Sequence, residues 1–269
     1  MRRMNPVPTI LVFDSGLGGL TVYREIVRAR PDAAMVYAAD DAFFPYGGRD
    51  ETALVERVLG EMERLIAAHR PDLVVVACNA ASTAVLPPLR ARFEVPFVGT
   101  VPAIKPACAA SVSRLVSVLG TPGTVQREYT RALIRDFADG CAVTLVGAPR
   151  LAILAEAELK GEPARDDQIL HEIAPCFVEH KGARTDTVVL ACTHYPLLLD
   201  RLVALAPWQV SFIDPAPAIA RRVVELLGPA TAGKPPKPRM VFSSGRSPPP
   251  PLEAALKRFG IGEFDGVTT

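Results

Sequence analysis

Long apolar runs, paired cysteines and a surplus of either charge are all missing from this 269-residue sequence. No stretch reaches the roughly 18 uninterrupted apolar residues of a membrane-crossing helix. The opening MRRMNPVPTILVFDSG carries basic residues, but only five strand-like positions, Thr9 to Phe13, precede Asp14 and the glycines. That is too few for the apolar region of a secretion signal. The five cysteines (Cys78, Cys108, Cys141, Cys176 and Cys192) are odd in number, scattered and free of any C-x-x-C pair. A disulfide framework and a zinc cluster are therefore not expected, and a reducing cytoplasm is. Thirty Lys and Arg against 29 Asp and Glu leave a net charge of +1, so no basic face for a nucleic acid is implied. With 49% hydrophobic and 22% charged residues, the chain has the composition of an ordinary globular protein. Its length suits one large domain or two of about 130 residues.

Short β-rich runs alternate with helix-period segments, the pattern of parallel α/β architecture. Strands are expected at Thr9–Phe13, Ala34–Ala38, Leu73–Ala77, Leu115–Leu119, Val143–Val146, Val188–Ala191 and Val210–Ile213, with a last short one in MVFSSG. Their continuous apolar character predicts burial on both faces. Helices are expected at Asp50–His69, Thr124–Phe137 and Pro217–Leu227. The proline-rich stretch from Gly228 to Pro251 reads as a solvated surface connection rather than a ligand for proline-recognising domains.

One phrase occurs twice. Residues 72–79 read DLVVVACN and residues 186–193 read DTVVLACT: an aspartate, four strand residues, then Ala-Cys and a small polar residue. A lone buried cysteine is usually a small hydrophobe, but two at the same place in matching strand-to-loop phrases ask for a shared role. Upstream of each, VFDSGLGG (12–19) and SVLGTPGT (117–124) run from strand into a glycine-bearing loop. The chain thus reads as two similar α/β halves, here placed at residues 1–98 with 212–269 and at 99–211. Ligands of open parallel sheets bind outside the carboxyl ends of the strands, which puts both cysteines on one cleft. The glycine loops carry neither a Rossmann fingerprint, since Thr21 stands where the third glycine belongs, nor a P-loop ending.

FDSGLGGLTV, DDAFFPYG at 40–47, ACNAAST at 77–83, GTPGTV at 120–125 and ACTHYPLL at 191–198 together carry a family signature. Over about residues 10–220 the chain resembles the glutamate racemases of the cofactor-independent aspartate/glutamate racemase superfamily. The resemblance implies two similar α/β domains with mostly parallel sheets, related by a pseudo-twofold, and an active site between them. It implies interconversion of L- and D-glutamate without cofactor or metal, for peptidoglycan synthesis. Its partner is a small-molecule substrate, not a nucleic acid or membrane, and homodimers are common in the family. Cys78 and Cys192 would act as acid and base on opposite faces of the substrate, assisted by Asp14 and His194. Substrate would be held by Asp14, Ser15, Tyr46, Gly47, Asn79, Ala80, Thr193 and His194.

Asp40 and Glu156 match helping acids in relatives, yet a strand-end cap and a solvated helix face account for them as residues. Asn79 and Thr193, taken alone, read as caps of the following helices. Three positions depart from the family pattern: Ala80 replaces a threonine, Pro215-Ala216 a serine-glycine, and Gly120 an alanine. Aspartate is the alternative substrate within the superfamily. A cysteine hydrolase built on Cys192 and His194 leaves Cys78 unexplained, and a non-catalytic amino-acid-binding protein needs no thiols.

Overall fold

The computed structural model describes residues 7–233 and 235–266; the opening MRRMNP and Lys234 of the proline-rich stretch lie outside the described residues. In chain order the first part comprises β1 (Thr9–Asp14), α1 (Leu20–Ala29), β2 (Ala34–Ala39), α2 (Glu51–His69), β3 (Leu73–Val76), α3 (Asn79–Arg92) and β4 (Phe97–Gly99). The middle comprises α4 (Ile104–Ala110), β5 (Leu115–Gly120), α5 (Pro122–Gln126), α6 (Glu128–Phe137), β6 (Ala142–Gly147), α7 (Leu151–Leu159) and α8 (Asp166–Ile173). There follow a small hairpin of β7 (Glu179–His180) and β8 (Ala183–Arg184), then β9 (Thr187–Ala191), α9 (Leu199–Leu205) and β10 (Ser211–Ile213). The chain ends in α10 (Ala216–Leu227), β11 (Arg239–Phe242), α11 (Pro250–Lys257) and β12 (Glu263–Gly266).

Two parallel sheets result, ordered β12-β11-β2-β1-β3-β4 and β10-β9-β5-β6. The order β2-β1-β3-β4 in the first recurs as β6-β5-β9-β10 in the second. The repeated sequence phrase is thus a repeated topology, with β3 and β9, which lead into the two cysteines, each beside the central strand of its sheet. The apolar runs are buried on both faces, as their composition requires. Along β1, Ile10 and Val12 join a core with Leu20, Ile219, Val223 and Leu252, whereas Leu11 and Phe13 join one with Leu54, Val58, Met62 and Leu89. The second sheet has the same arrangement, with α7, α8 and α9 on one face and α4 and α6 on the other.

The expected strands and helices occur with ends shifted by a residue or two. The helix read over Thr124–Phe137 is two helices: the backbone turns extended at Arg127 (ψ 143°) between α5 and α6. The short strand β4 and the last strand β12 gave no sequence signal, being three and four residues long. The return from the second sheet to the first follows Ile213, because β10 still pairs with β9. The proline-rich connection is tied down, with Arg30 donating to the Gly228 carbonyl and Thr231 to Asp32. Among the described residues no helix is long and apolar enough to cross a membrane.

Leu11, fully buried on the central strand of the larger sheet, tests this core. Leu11→Ala is expected to cost about 2–5 kcal/mol, read as a lower urea midpoint with an unchanged slope.

Candidate active site

The strand ends that converge between the two sheets deliver the site. Asp14 ends β1 and is wholly buried; its Oδ2 accepts from the Gly16 and Gly19 amides at 3.3 and 3.0 Å, which folds the SGLGG turn onto it. Burial raises its carboxyl above the ordinary range, against the opposing pull of His194 and the Gly19 amide. Cys78 follows β3 and occupies the N-cap position of α3 without a side-chain cap. Its Sγ lies 3.7 Å from the Ser15 hydroxyl. Burial, then the neighbouring Asp14 charge, push its thiol well above its usual value.

Cys192 follows β9, and its Sγ is 3.8 Å from His194 Nδ1. On the far side of the ring, His194 Nε2 is 3.1 Å from Glu156 Oε1, and Lys160 holds Glu156 Oε2 at 2.8 Å. Burial opposes a charge on His194, but its bonds to Cys192 and Glu156 prevail and hold its pKa well above the usual 6.5. Burial likewise opposes a charge on Glu156, and the bonds to His194 and Lys160 hold it at about 2. The Gly18 amide also points at Nε2, from 3.2 Å. One ring nitrogen serves one partner at a time: protonated it donates to Glu156, unprotonated it accepts from Gly18.

A small cleft lies between the thiols, lined by Ser15, Phe44, Pro45, Tyr46, Gly47, Cys78, Asn79, Ala80, Thr121, Thr124, Ala152, Cys192 and His194. Cys78 and Cys192 are only 5% and 7% exposed. Buried polar atoms without a partner concentrate here: Asp14 Oδ1, both amide atoms of Asn79 and the Thr193 hydroxyl. Such atoms are costly unless something else bonds them.

Eight of the residues expected from the sequence therefore line one cleft: Ser15, Tyr46, Gly47, Cys78, Asn79, Ala80, Cys192 and His194. Asp14 and Thr193 do not; Asp14 acts on Cys78 through its field, and the Thr193 carbonyl accepts from Thr21 at 3.2 Å. Neither Asn79 nor Thr193 caps a helix with its side chain. Glu156 is not on a solvated helix face. It is 4% exposed and also accepts from the Leu17 amide at 2.8 Å. Asp40, at the end of β2, stays outside the cleft; Arg57 Nε at 2.9 Å and the Tyr46 hydroxyl at 2.6 Å both bond to it, so it braces Tyr46.

Sequence reasoning missed Thr121, Thr124, Phe44, Pro45 and Ala152. The two threonines were hidden by their local role: the Thr121 hydroxyl caps α5 by accepting from the Thr124 amide at 3.3 Å. Phe44 rests its ring 5.4 Å from that of His194. No local pattern foretells either that contact or one between residues 156 and 194.

Comparison with known proteins agrees with this geometry. Residues 10–223 match the Asp/Glu/hydantoin racemase family. The glutamate racemase of Brucella anthropi is 58% identical over 83% of this chain and 81% of its own. That of Brucella canis is 51% identical over 95% and 94%. The crystal structure of Escherichia coli glutamate racemase, in complex with L-glutamate and the activator UDP-MurNAc-Ala, superposes with a TM-score of 0.88 at 41% identity, covering 96% of this chain and 97% of that one.

Glu156 gives the site a signature in acid. Folded, it titrates at about 2 against an ordinary 4.5. The unfolded chain therefore binds the extra proton between those values, and the stability Glu156 contributes is present above pH 4.5 and lost as pH falls toward 2. Glu156→Gln is expected to be less stable than wild type at neutral pH, with the gap narrowing over that range in urea titrations. A gap that stays constant there removes the ion pair from the account.

Proposed function

We propose that this chain, which belongs to the Asp/Glu/hydantoin racemase family, interconverts L- and D-glutamate by passing a proton between Cys78 and Cys192. The observation that carries the reading is the placement of two buried thiols, at topologically equivalent strand ends, on one small cleft with unpartnered polar groups. The named activity of the relatives supports the substrate.

Inverting Cα requires taking its proton on one face and returning one on the other. One sulfur, as thiolate, removes the α-proton; the electron pair passes into the α-carboxylate; the other sulfur, as thiol, delivers its proton to the opposite face. The roles exchange when the opposite enantiomer binds. His194, with its raised affinity for a proton, balances negative charge on Cys192 and returns the proton through Nδ1. Glu156 keeps the ring oriented from Nε2. Cys78 has no imidazole; Ser15 and Asp14 are its neighbours, and Asp14, raised toward its protonated form, is suited to shuttle that proton. Asn79 supplies polar atoms for the substrate's carboxylate and ammonium, with Ser15, Thr121, Thr124 and the Tyr46-Gly47 and Ala80 backbone completing the shell and Asp14 and Thr193 behind it. Negative charge growing on the α-carboxylate is then met by fixed donors.

The two sheets act as two lobes that part near residues 99 and 213 to admit substrate. We place the reaction in the cytoplasm, without cofactor, in a homodimer that supplies D-glutamate to peptidoglycan precursors. The Escherichia coli relative binds L-glutamate and the activator UDP-MurNAc-Ala, which supports the substrate.

Proton NMR of L-glutamate in deuterated buffer, followed by chiral analysis, tests the proposal. Wild type is expected to exchange the α-proton and accumulate D-glutamate, with racemisation abolished in both Cys78→Ala and Cys192→Ala. Folded wild type that leaves glutamate unchanged, whether it turns over aspartate instead or merely binds, overturns the assignment. Racemisation surviving either substitution overturns the two-thiol mechanism.

A further inference from the structure

Arg127 belongs to the second lobe by sequence and to the first by contact. Its Nη1 donates to the Ala80 carbonyl and to the Thr83 hydroxyl, both in the first turns of α3, and its Nε lies 3.4 Å from Glu51 at the start of α2. The side chain is 13% exposed. It reaches across because the backbone turns extended at residue 127, where the local sequence favours one continuous helix. The Thr130 hydroxyl bridges the break by donating to the Thr124 carbonyl at 2.6 Å. The lobes already touch beside it: a Cβ on Gly123 would stand 2.7 Å from the Gly47 carbonyl oxygen, and one on Gly47 2.6 Å from Thr121.

Prolines interrupt the ladder of the helix that Arg127 grips. Pro87 and Pro88 lie inside α3 and lack amide protons, so the carbonyls of Thr83 and Ala84 lose their intrahelical donors. The first turns of α3 are thereby set apart from the rest. They carry Asn79 and Ala80, and Cys78 stands at their head. Among the residues lining the cleft there is no lysine or arginine, and burial lowers Arg127 while the charges of Glu51 and Cys78 raise it.

We infer that Arg127 is a positioning residue that couples closure of the lobes to the placement of Cys78 and of the Asn79–Ala80 substrate contacts. The inference rests on the two-thiol reading and deepens it: Cys192 sits on His194 within its own lobe, whereas Cys78 takes its final position from a residue of the opposite lobe. A planar fork meets a carbonyl, a hydroxyl and a carboxylate together; an ammonium does not.

Arg127→Ala and Arg127→Lys, checked for an unchanged circular dichroism spectrum, test it with two readouts. The first is hydrogen exchange, which needs no activity. Arg127→Ala is expected to speed exchange of amides 80–86 at least tenfold while leaving those of residues 193–199 unchanged. The second is the primary isotope effect with α-deuterated L- and D-glutamate. A misplacement of about 1 Å costs up to 100-fold in rate, so kcat is expected to fall ten- to a hundredfold in Arg127→Ala, with Arg127→Lys between it and wild type. The isotope effect should rise for one enantiomer only, the one for which Cys78→Ser also raises it. Exchange unchanged at 80–86, or isotope effects altered alike for both enantiomers, overturns the inference. Wild type without racemisation defeats the two-thiol reading instead, and the exchange readout still decides whether Arg127 holds α3.

Discussion

A seam of backbone amides laid against buried side chains holds the site together. The turn after β1 approaches the second lobe so closely that the Leu17 amide bonds Glu156, the Gly18 amide meets His194, and Thr21 donates to the Thr193 carbonyl. Side chains on the turn would prevent this: a Cβ on Gly16 would stand 2.0 Å from Glu156 Oε1, and one on Gly18 2.3 Å from His194 Nδ1. The glycines are there for proximity rather than for a dinucleotide. Without that contact Glu156 and His194 would lose the amides that face them.

The seam explains why so much ionic chemistry is buried in so little space. Asp14, Glu156 and His194 are each at most 4% exposed, and isolated charges there would be strongly disfavoured. They persist because each is bonded: Asp14 to the turn amides, Glu156 to His194, Lys160 and Leu17, and His194 to Glu156 and Cys192. The two thiols end up unlike, one beside an imidazole and the other beside a serine and a buried carboxyl, although the strands that carry them are equivalent. The duplicated topology fixes where the sulfurs point, and the neighbours within each lobe, Ser15 and Asp14 for Cys78 and His194 for Cys192, decide how each holds a proton.

Much of this was legible beforehand. The apolar runs gave the strands because burial on both faces of a parallel sheet demands continuous hydrophobicity, and the repeated ACN and ACT phrases located both cysteines at strand ends. The resemblance to a racemase family pointed to Asp14 and His194 as neighbours of the thiols, and the structure places them there. The break at Arg127 was hidden because Thr124–Phe137 has good helical periodicity, and the extended backbone there carries the Arg127 side chain to another lobe. Glu156 looked like a surface acid because its helix gave no hint of which face would be covered.

The sequence by itself determined the class of fold, the parallel strands, the two thiols and the glycine turn, since these depend on composition and spacing within short windows. Only the tertiary structure decided that Glu156 and Lys160 stand behind His194, that Thr121 and Thr124 face the cleft, that Asp14 and Thr193 stay behind it, and that Arg127 crosses between lobes. Each of those facts is a contact between residues far apart in the chain. Such contacts are set by how the two sheets pack against each other, and no local pattern of residues records that geometry.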